Sequence, residues 1–244
     1  MNCRSPVRTS APSLRILCDF DGTVTRQDVT DALLEAWADP TWTDVEELWT
    51  TGAIGSRECL TRQVSLLRGE PSDIDAVIDG IEVEVGFREF VAYCALRGFR
   101  LEIVSDGLDY AIRRILERLD LTVPFRANGL TRDAEGDWAL QTPHADSGCA
   151  ADSAHCKCRS GVPFQSDALT VVIGDGRSDI CLAGSADLVF AKEGPSGPST
   201  LLRHMRAHRR PVEPFTTFFD VVAGLERCFG AAPRILEGQA ASWL

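Results

Sequence analysis

Leu14-Arg15-Ile16-Leu17-Cys18-Asp19-Phe20-Asp21-Gly22-Thr23 is a short, mainly apolar run that ends in Asp-Gly-Thr. Such a run, closed by turn residues, is a buried strand with a polar tip. Two later stretches repeat the pattern. Phe99–Val104 runs into Ser105-Asp106-Gly107, and Ala168–Ile173 runs into Gly174-Asp175-Gly176. Helical periodicity fills the intervals, at Phe87–Arg97 with Gly98 as its cap, at Leu108–Leu119, and at about Ser178–Ala183. A short strand at Leu188–Ala191 and an amphipathic helix over Phe218–Cys228 follow. Alternating strands and helices imply an α/β fold with a doubly wound parallel sheet, whose ligand crevice lies outside the carboxyl ends of the strands. Three acidic or hydroxyl tips reach that one edge.

Between the first and second strands the pattern is helical over roughly 28–85, too long for one crossover. Val29, Leu33, Leu34 and Trp37 share a face, and Val45, Leu48 and Trp49 share another. Asp39-Pro40 and Gly52–Ser56 break the chain before Glu58–Leu67 and Ser72–Ile78. The expectation is an inserted helical lid in which Trp37, Trp42 and Trp49 form the lid's own core. The organisation expected is a loose tail at 1–13, a core at 14–27 and 86–244, and the helical insert at 28–85. Residues 130–161 are turn-rich and hold a hairpin.

The 244 residues are 44% hydrophobic and 25% charged, enough apolar content for one domain with an insert. No window approaches 18 uninterrupted apolar residues, so a membrane-spanning helix is not expected. The net charge of −11 disfavours nucleic acid and anionic lipid as partners, and 7% aromatics disfavour base-stacking platforms. Nine cysteines, several within apolar runs, read as small buried hydrophobes in a reduced protein. No apolar segment follows Arg4 and Arg8, so a signal peptide is not expected and the cytoplasm is the expected compartment. A monomer or homodimer is expected.

The tips carry the chemistry. Asp19 and Asp21 lie two apart as a strand runs out, and Gly22 allows the bend that turns both toward one small volume. Two carboxylates that close titrate together, which suits a nucleophile beside a general acid once a cation screens the first. Alone, Asp-x-Asp-Gly also describes an Asx turn. Asp175 and Asp179 are four apart at a helix start, a spacing that suits a hard cation such as Mg²⁺ and equally a helix cap. Ser105 and the amides after it suit phosphate oxygens. Lys157, one of only two lysines, could balance the carboxylates or be a solvated surface lysine. Gly174-x-Gly176 lacks the third glycine of a dinucleotide fingerprint, and no Gly-x-x-x-x-Gly-Lys loop occurs. Cys149, Cys156 and Cys158 with His144 and His155 lack paired Cys-x-x-Cys spacing for zinc.

In this order the four signals resemble the phosphatases of the haloacid dehalogenase superfamily, over residues 14 to about 228. The helical insert after the first motif is similar to the subfamily containing phosphoserine phosphatase. Within it, Cys18-Asp-Phe-Asp-Gly-Thr, His155-Cys156-Lys157-Cys158 and Phe190-Ala191-Lys192 are most similar to the MtnX-like group of enol-phosphate phosphatases. The resemblance implies a Rossmannoid parallel sheet with a helical cap of the C1 type. It implies Asp19 as nucleophile, Asp21 as general acid and base, and Mg²⁺ at Asp19, Asp21, Asp175 and Asp179. Phosphate would meet Thr23, Ser105, Asp106, Gly107 and Lys157. The partner expected is a small phosphorylated metabolite: an enol phosphate, a sugar phosphate or a relative of these. Phosphoserine ranks lower, because Arg26-Gln27-Asp28 stands where that pattern places Glu. Phosphotransfer, or binding without catalysis, are the alternatives. A phosphonatase is disfavoured because residues 24–98 contain no lysine.

Overall fold

The computed structural model describes residues 13–161 and 168–230, so the expected tail lies almost wholly outside the described residues. The sheet is built on β1 (Leu14–Cys18), β2 (Arg100–Leu108), β5 (Leu169–Gly174) and β6 (Leu188–Gly194), all parallel. β3 (Phe125–Arg132) extends it in parallel beside β2, and β4 (Trp138–Gln141) closes that edge antiparallel to β3. At the other edge β8 (Glu213–Phe215) pairs in parallel with β6, and β7 (Gly197–Pro198) turns back on it.

Period-two alternation sorts the side chains between two faces. Leu14, Ile16 and Cys18 of β1 join Ile103, Val171, Ile173 and Phe190 in one core. Leu17, Val104, Val172, Val189 and Ala191 join Leu201, Leu202 and Met205 in the other. Strands buried on both faces read as apolar runs, which is why they are legible in the sequence. α5 (Phe87–Arg97) and α10 (Phe218–Phe229) cover the first face, with the Phe218 ring 5.1 Å from both Phe87 and Phe90. α8 (Ile180–Ala183) and α9 (Thr200–Ala207) cover the second.

Four helices separate β1 from β2: α1 (Val29–Trp37), α2 (Trp42–Thr50), α3 (Ser56–Ser65) and α4 (Pro71–Gly80). The chain leaves and returns through one antiparallel bridge, Thr25 with Val83, flanked by Glu84 N–H donating to the Val24 carbonyl at 2.8 Å. α4 is held by α6 (Asp109–Arg118), where Arg114 makes two 2.7 Å bonds to Asp79 and the Tyr110 hydroxyl donates to Asp75 at 2.6 Å.

Several expectations need correction. The tryptophans do not form a core together: Trp42 packs partly buried against the hydrophobic core, but α2 buries no residue fully, Trp37 is 40% exposed, and Trp49 faces a cavity. β2 runs on through Ser105-Asp106-Gly107, with a register shift against β3 between Val104 and Leu108. The hairpin is β3 with β4, and its first strand begins before the turn-rich stretch. Lys157 opens a short helix, α7 (Lys157–Gly161), instead of sitting in a turn. Cys158 is bonded to Cys181 in a disulfide, against the reading of an entirely reduced protein.

Candidate active site

Register brings the tips together. Cys18 of β1 stands opposite both Ile103 and Ile173, so Asp19 comes level with Val104 and Gly174. One step further lie Ser105 and Asp175. Asp19 donates its N–H to the Ile173 carbonyl at 2.8 Å, and its Oδ1 accepts from the Phe20 N–H at 2.8 Å. The side chain is therefore fixed before any ligand arrives.

Lys157 is buried, 2% exposed, so it is not a surface lysine. Its Nζ lies 2.6 Å from Asp19 Oδ1 and 2.8 Å from Asp179 Oδ1. Burial disfavours its charge, but Asp179 and Asp19 outweigh burial and hold it protonated. Asp179 Oδ2 accepts from the N–H groups of Asp175 and Gly176, at 3.2 and 3.0 Å, which locks the loop after β5. The Cys158–Cys181 disulfide joins the residue after Lys157 to the helix after Asp179, and so holds these two partners in one bracket.

Asp19, Asp175 and Asp179 present oxygens that all lie within 4.8 Å of one another. This is the one grouping of metal-competent side chains among the described residues, so the cysteines and histidines near 144–158 form no such centre. Burial and then Asp179 push Asp175 up to about 6. Burial and Asp179 likewise raise Asp19, with Lys157 opposing them. Carboxylates crowded this far against their own repulsion fit a hard, oxygen-seeking dication, and all the donors are oxygens. Gly22, at φ +71°, makes the crowding possible: a Cβ there would stand 2.8 Å from Asp175 Oδ2.

Asp21 differs in environment. Its Oδ1 accepts from the Val29 N–H at the start of α1 at 3.0 Å, and its Oδ2 accepts from the Ser105 hydroxyl at 3.2 Å. Burial, then Asp28, push it up to about 8, so it carries a proton near neutral pH. Gly107 lies so close that a Cβ there would collide with Asp21 Oδ2. The Gly107 N–H donates to Ser105 Oγ at 2.9 Å.

Asp19, Asp21, Ser105, Asp106, Gly107, Lys157 and Asp175 line one cavity of about 280 Å³. Thr23 does not. It is fully buried, its hydroxyl donates to Asp175 Oδ1 at 2.7 Å and its N–H to the Phe20 carbonyl, so it orients Asp175 and has no group left for phosphate. The Asp106 side chain is also committed: it accepts from the Ser56 hydroxyl of α3 at 3.0 Å and from the His155 N–H at 2.6 Å. His155 in turn places Nδ1 2.8 Å from the Ser105 carbonyl, and burial lowers its pKa to about 4. Asn128, fully buried, donates to the Asp106 carbonyl at 2.6 Å.

The sequence reading missed the other wall of the cavity. Ser56, Cys59, Leu60 and Gln63 line it from α3, Glu46 and Trp49 from α2, Thr30 and Asp31 from α1, and Asp28 from the cap that precedes α1. The α3 set has i, i+3, i+4, i+7 spacing, a helical stripe that was present to be read.

The sequence pattern of the haloacid dehalogenase-like hydrolases matches residues 16–184. The chain belongs to that family. It is 32% identical over 219 residues to a 2-hydroxy-3-keto-5-methylthiopentenyl-1-phosphate phosphatase of Geobacillus thermodenitrificans, covering 88% of this chain and 96% of that one. A protein of the same description from Geobacillus kaustophilus is 34% identical over 223 residues, with the same coverage. Among solved structures, a substrate-bound phosphoserine phosphatase superposes with a TM-score of 0.67 at 20% identity, over 88% of this chain and 99% of that one. That last likeness is one of fold.

Proposed function

We propose that this haloacid dehalogenase-like hydrolase is a Mg²⁺-dependent phosphatase of a small phosphorylated metabolite, working through an aspartyl-phosphate at Asp19. The observation that carries the reading is the buried Lys157 ammonium between Asp19 and Asp179, beside Asp21, whose carboxylate accepts from the Ser105 hydroxyl at 3.2 Å in the same cavity. Asp19 attacks phosphorus in line, forming an O–P bond as the bond to the leaving oxygen breaks. Asp21 gives its proton to that leaving oxygen, then takes one from the water that attacks the phosphoenzyme. The second step frees phosphate and restores Asp19. Lys157 and Ser105 hold the transferring oxygens, and Lys157 favours the ionised form of Asp19 against burial and Asp179.

Asp19, Asp175 and Asp179, with the Asp21 carbonyl, would hold Mg²⁺, which when bound screens the repulsion between phosphoryl group and nucleophile. Residues 28–85 act as a cap that excludes water and selects the leaving group, over a core of 14–27 and 86 onward. Enol phosphates, sugar phosphates and related metabolites form the candidate range, following the two Geobacillus relatives. No described helix is long and apolar enough to cross a membrane. Cys18, Cys59, Cys94 and Cys156 are buried free thiols, which supports the cytoplasm as compartment, with Cys158–Cys181 the exception.

Hydrolysis of 4-nitrophenyl phosphate tests the reading. Turnover that needs Mg²⁺ and stops with a chelator is expected; no turnover with any divalent ion contradicts it.

A further inference from the structure

Lysine occurs at only two positions in the chain, and the mechanism uses one of them. The other, Lys192, lies in β6 within Phe190-Ala191-Lys192. Gly174 of β5 stands opposite Ala191, so Lys192 comes level with Asp175. It is 8% exposed, lies 5.2 Å over the Phe215 ring, and places Nζ 2.6 Å from Glu84 Oε2. Both side chains of this pair are about nine-tenths covered, at 10% and 11% exposure, and neither residue lines the cavity.

Glu84 belongs to the segment by which the chain returns from the helical insert. Its N–H donates to the Val24 carbonyl at 2.8 Å, and the Arg26 N–H donates to the Glu82 carbonyl at 3.0 Å, on either side of the Thr25–Val83 bridge. The outgoing and returning segments therefore form one ribbon. The outgoing strand of that ribbon runs directly from Asp21 to α1, whose Val29 N–H donates to Asp21 Oδ1 at 3.0 Å. A continuous set of contacts thus leads from Lys192 through Glu84 and the ribbon to the Asp21 carboxyl. An ion pair buried this far returns little net stability, because desolvation offsets the attraction, but it fixes position: moving Glu84 away leaves two charges uncompensated. We propose that Lys192 is a positioning residue for proton transfer, pinning the ribbon at Glu84 and so holding Asp21, through Val29, toward the leaving oxygen. The inference rests on the phosphatase reading above and extends it to a residue outside the cavity.

A proton donated to the leaving oxygen matters more for a basic leaving group than for a stable anion. The test therefore compares kcat/KM for phenyl phosphate and 4-nitrophenyl phosphate, with Mg²⁺, in the unaltered protein, in Lys192→Met, in Lys192→Arg, and in Lys192→Met combined with Glu84→Gln. Lys192→Met is expected to lose roughly tenfold on phenyl phosphate, a part of what general acid catalysis supplies, and about twofold or less on 4-nitrophenyl phosphate. Lys192→Arg keeps the charge and should recover part of the loss. The double variant orphans no charge, so its melting midpoint should return toward that of the unaltered protein while the selective loss on phenyl phosphate stays. Should Lys192→Met fail to fold, the double variant supplies the same comparison. Equal proportional losses on the two esters, no loss on either, or recovery of phenyl phosphate turnover together with the midpoint overturns the inference, while turnover by the unaltered protein leaves the phosphatase reading standing. No turnover of either ester by the unaltered protein removes the phosphatase reading, and the inference with it.

Discussion

Lys157 carries more of this site than its single charge suggests. It is the only cation in contact with Asp19 and Asp179 among the described residues, and all three side chains are buried. Removing one partner of a buried ionic cluster leaves the others uncompensated, at a cost of about 3–5 kcal/mol. Lys157→Ala is therefore expected to lower both kcat/KM and the unfolding free energy, with Mg²⁺ restoring part of the stability and little of the rate. Lys157→Arg should rescue partly, because a planar fork cannot replace a compact ammonium between two close carboxylates. An unchanged denaturation midpoint in Lys157→Ala would contradict the placement. His155 allows a test through pH. Its folded pKa is lowered from 6.5 to about 4 by burial, so the unfolded chain binds this proton first as pH falls. The stability that neutral His155 contributes is present above about 6.5 and is lost through the window down to about 4. The loss is of the order of 3 kcal/mol at about 1.4 per pKa unit. Urea titrations across that window should show a shallower fall for His155→Gln than for the unaltered protein; parallel curves would count against a buried neutral imidazole.

Elements differ in how much the sequence shows of them. β1, β2 and β5 were legible because strands buried on both faces are apolar throughout and end where backbone and side chains turn polar at the crevice. β3 was not, since Arg126 and Asn128 break its apolar pattern, and Asn128 is polar because it braces Asp106 from beneath. α9 was missed after a Gly- and Pro-rich stretch, although Ser199 caps it by accepting from the Leu202 N–H at 3.2 Å. The docking of α10 on β6 gives a prediction at this scale. A Cβ on Gly224 would meet Phe190 Cε1 at 2.5 Å, and Phe190 is 1% exposed, with no room to retreat. Gly224→Ala is expected to destabilise the fold by about 1–3 kcal/mol, as overpacking does, and to leave Mg²⁺-dependent turnover in place. A urea midpoint equal to that of the unaltered protein would show that α10 packs less tightly on the sheet than described.

For the molecule as a whole, the catalytic half was readable in one dimension and the selecting half was not. Asp19 and Asp21 follow the end of β1, Asp175 follows β5, and Ser105 lies in the neighbouring β2, so topology alone gathers them. Lys157 has no local signal; only the order of motifs marked it, and burial then distinguished it from a surface lysine. Glu46 and Gln63 sit on different helices and resemble solvated polar faces until α1, α2 and α3 are packed over the strand tips. The Cys158–Cys181 bond was hidden because its partners lie 23 residues apart in a chain with many cysteines. What joins the two halves is a covalent step at Asp19, and that step can be observed directly. The protein is mixed with radiolabelled substrate and Mg²⁺, quenched in acid within one turnover, digested, and the labelled peptide identified. Label on the peptide containing Asp19, released by hydroxylamine as an acyl phosphate and absent from Asp19→Asn, is the expected result. Substrate turnover without labelled protein, or label on a peptide lacking Asp19, would contradict it.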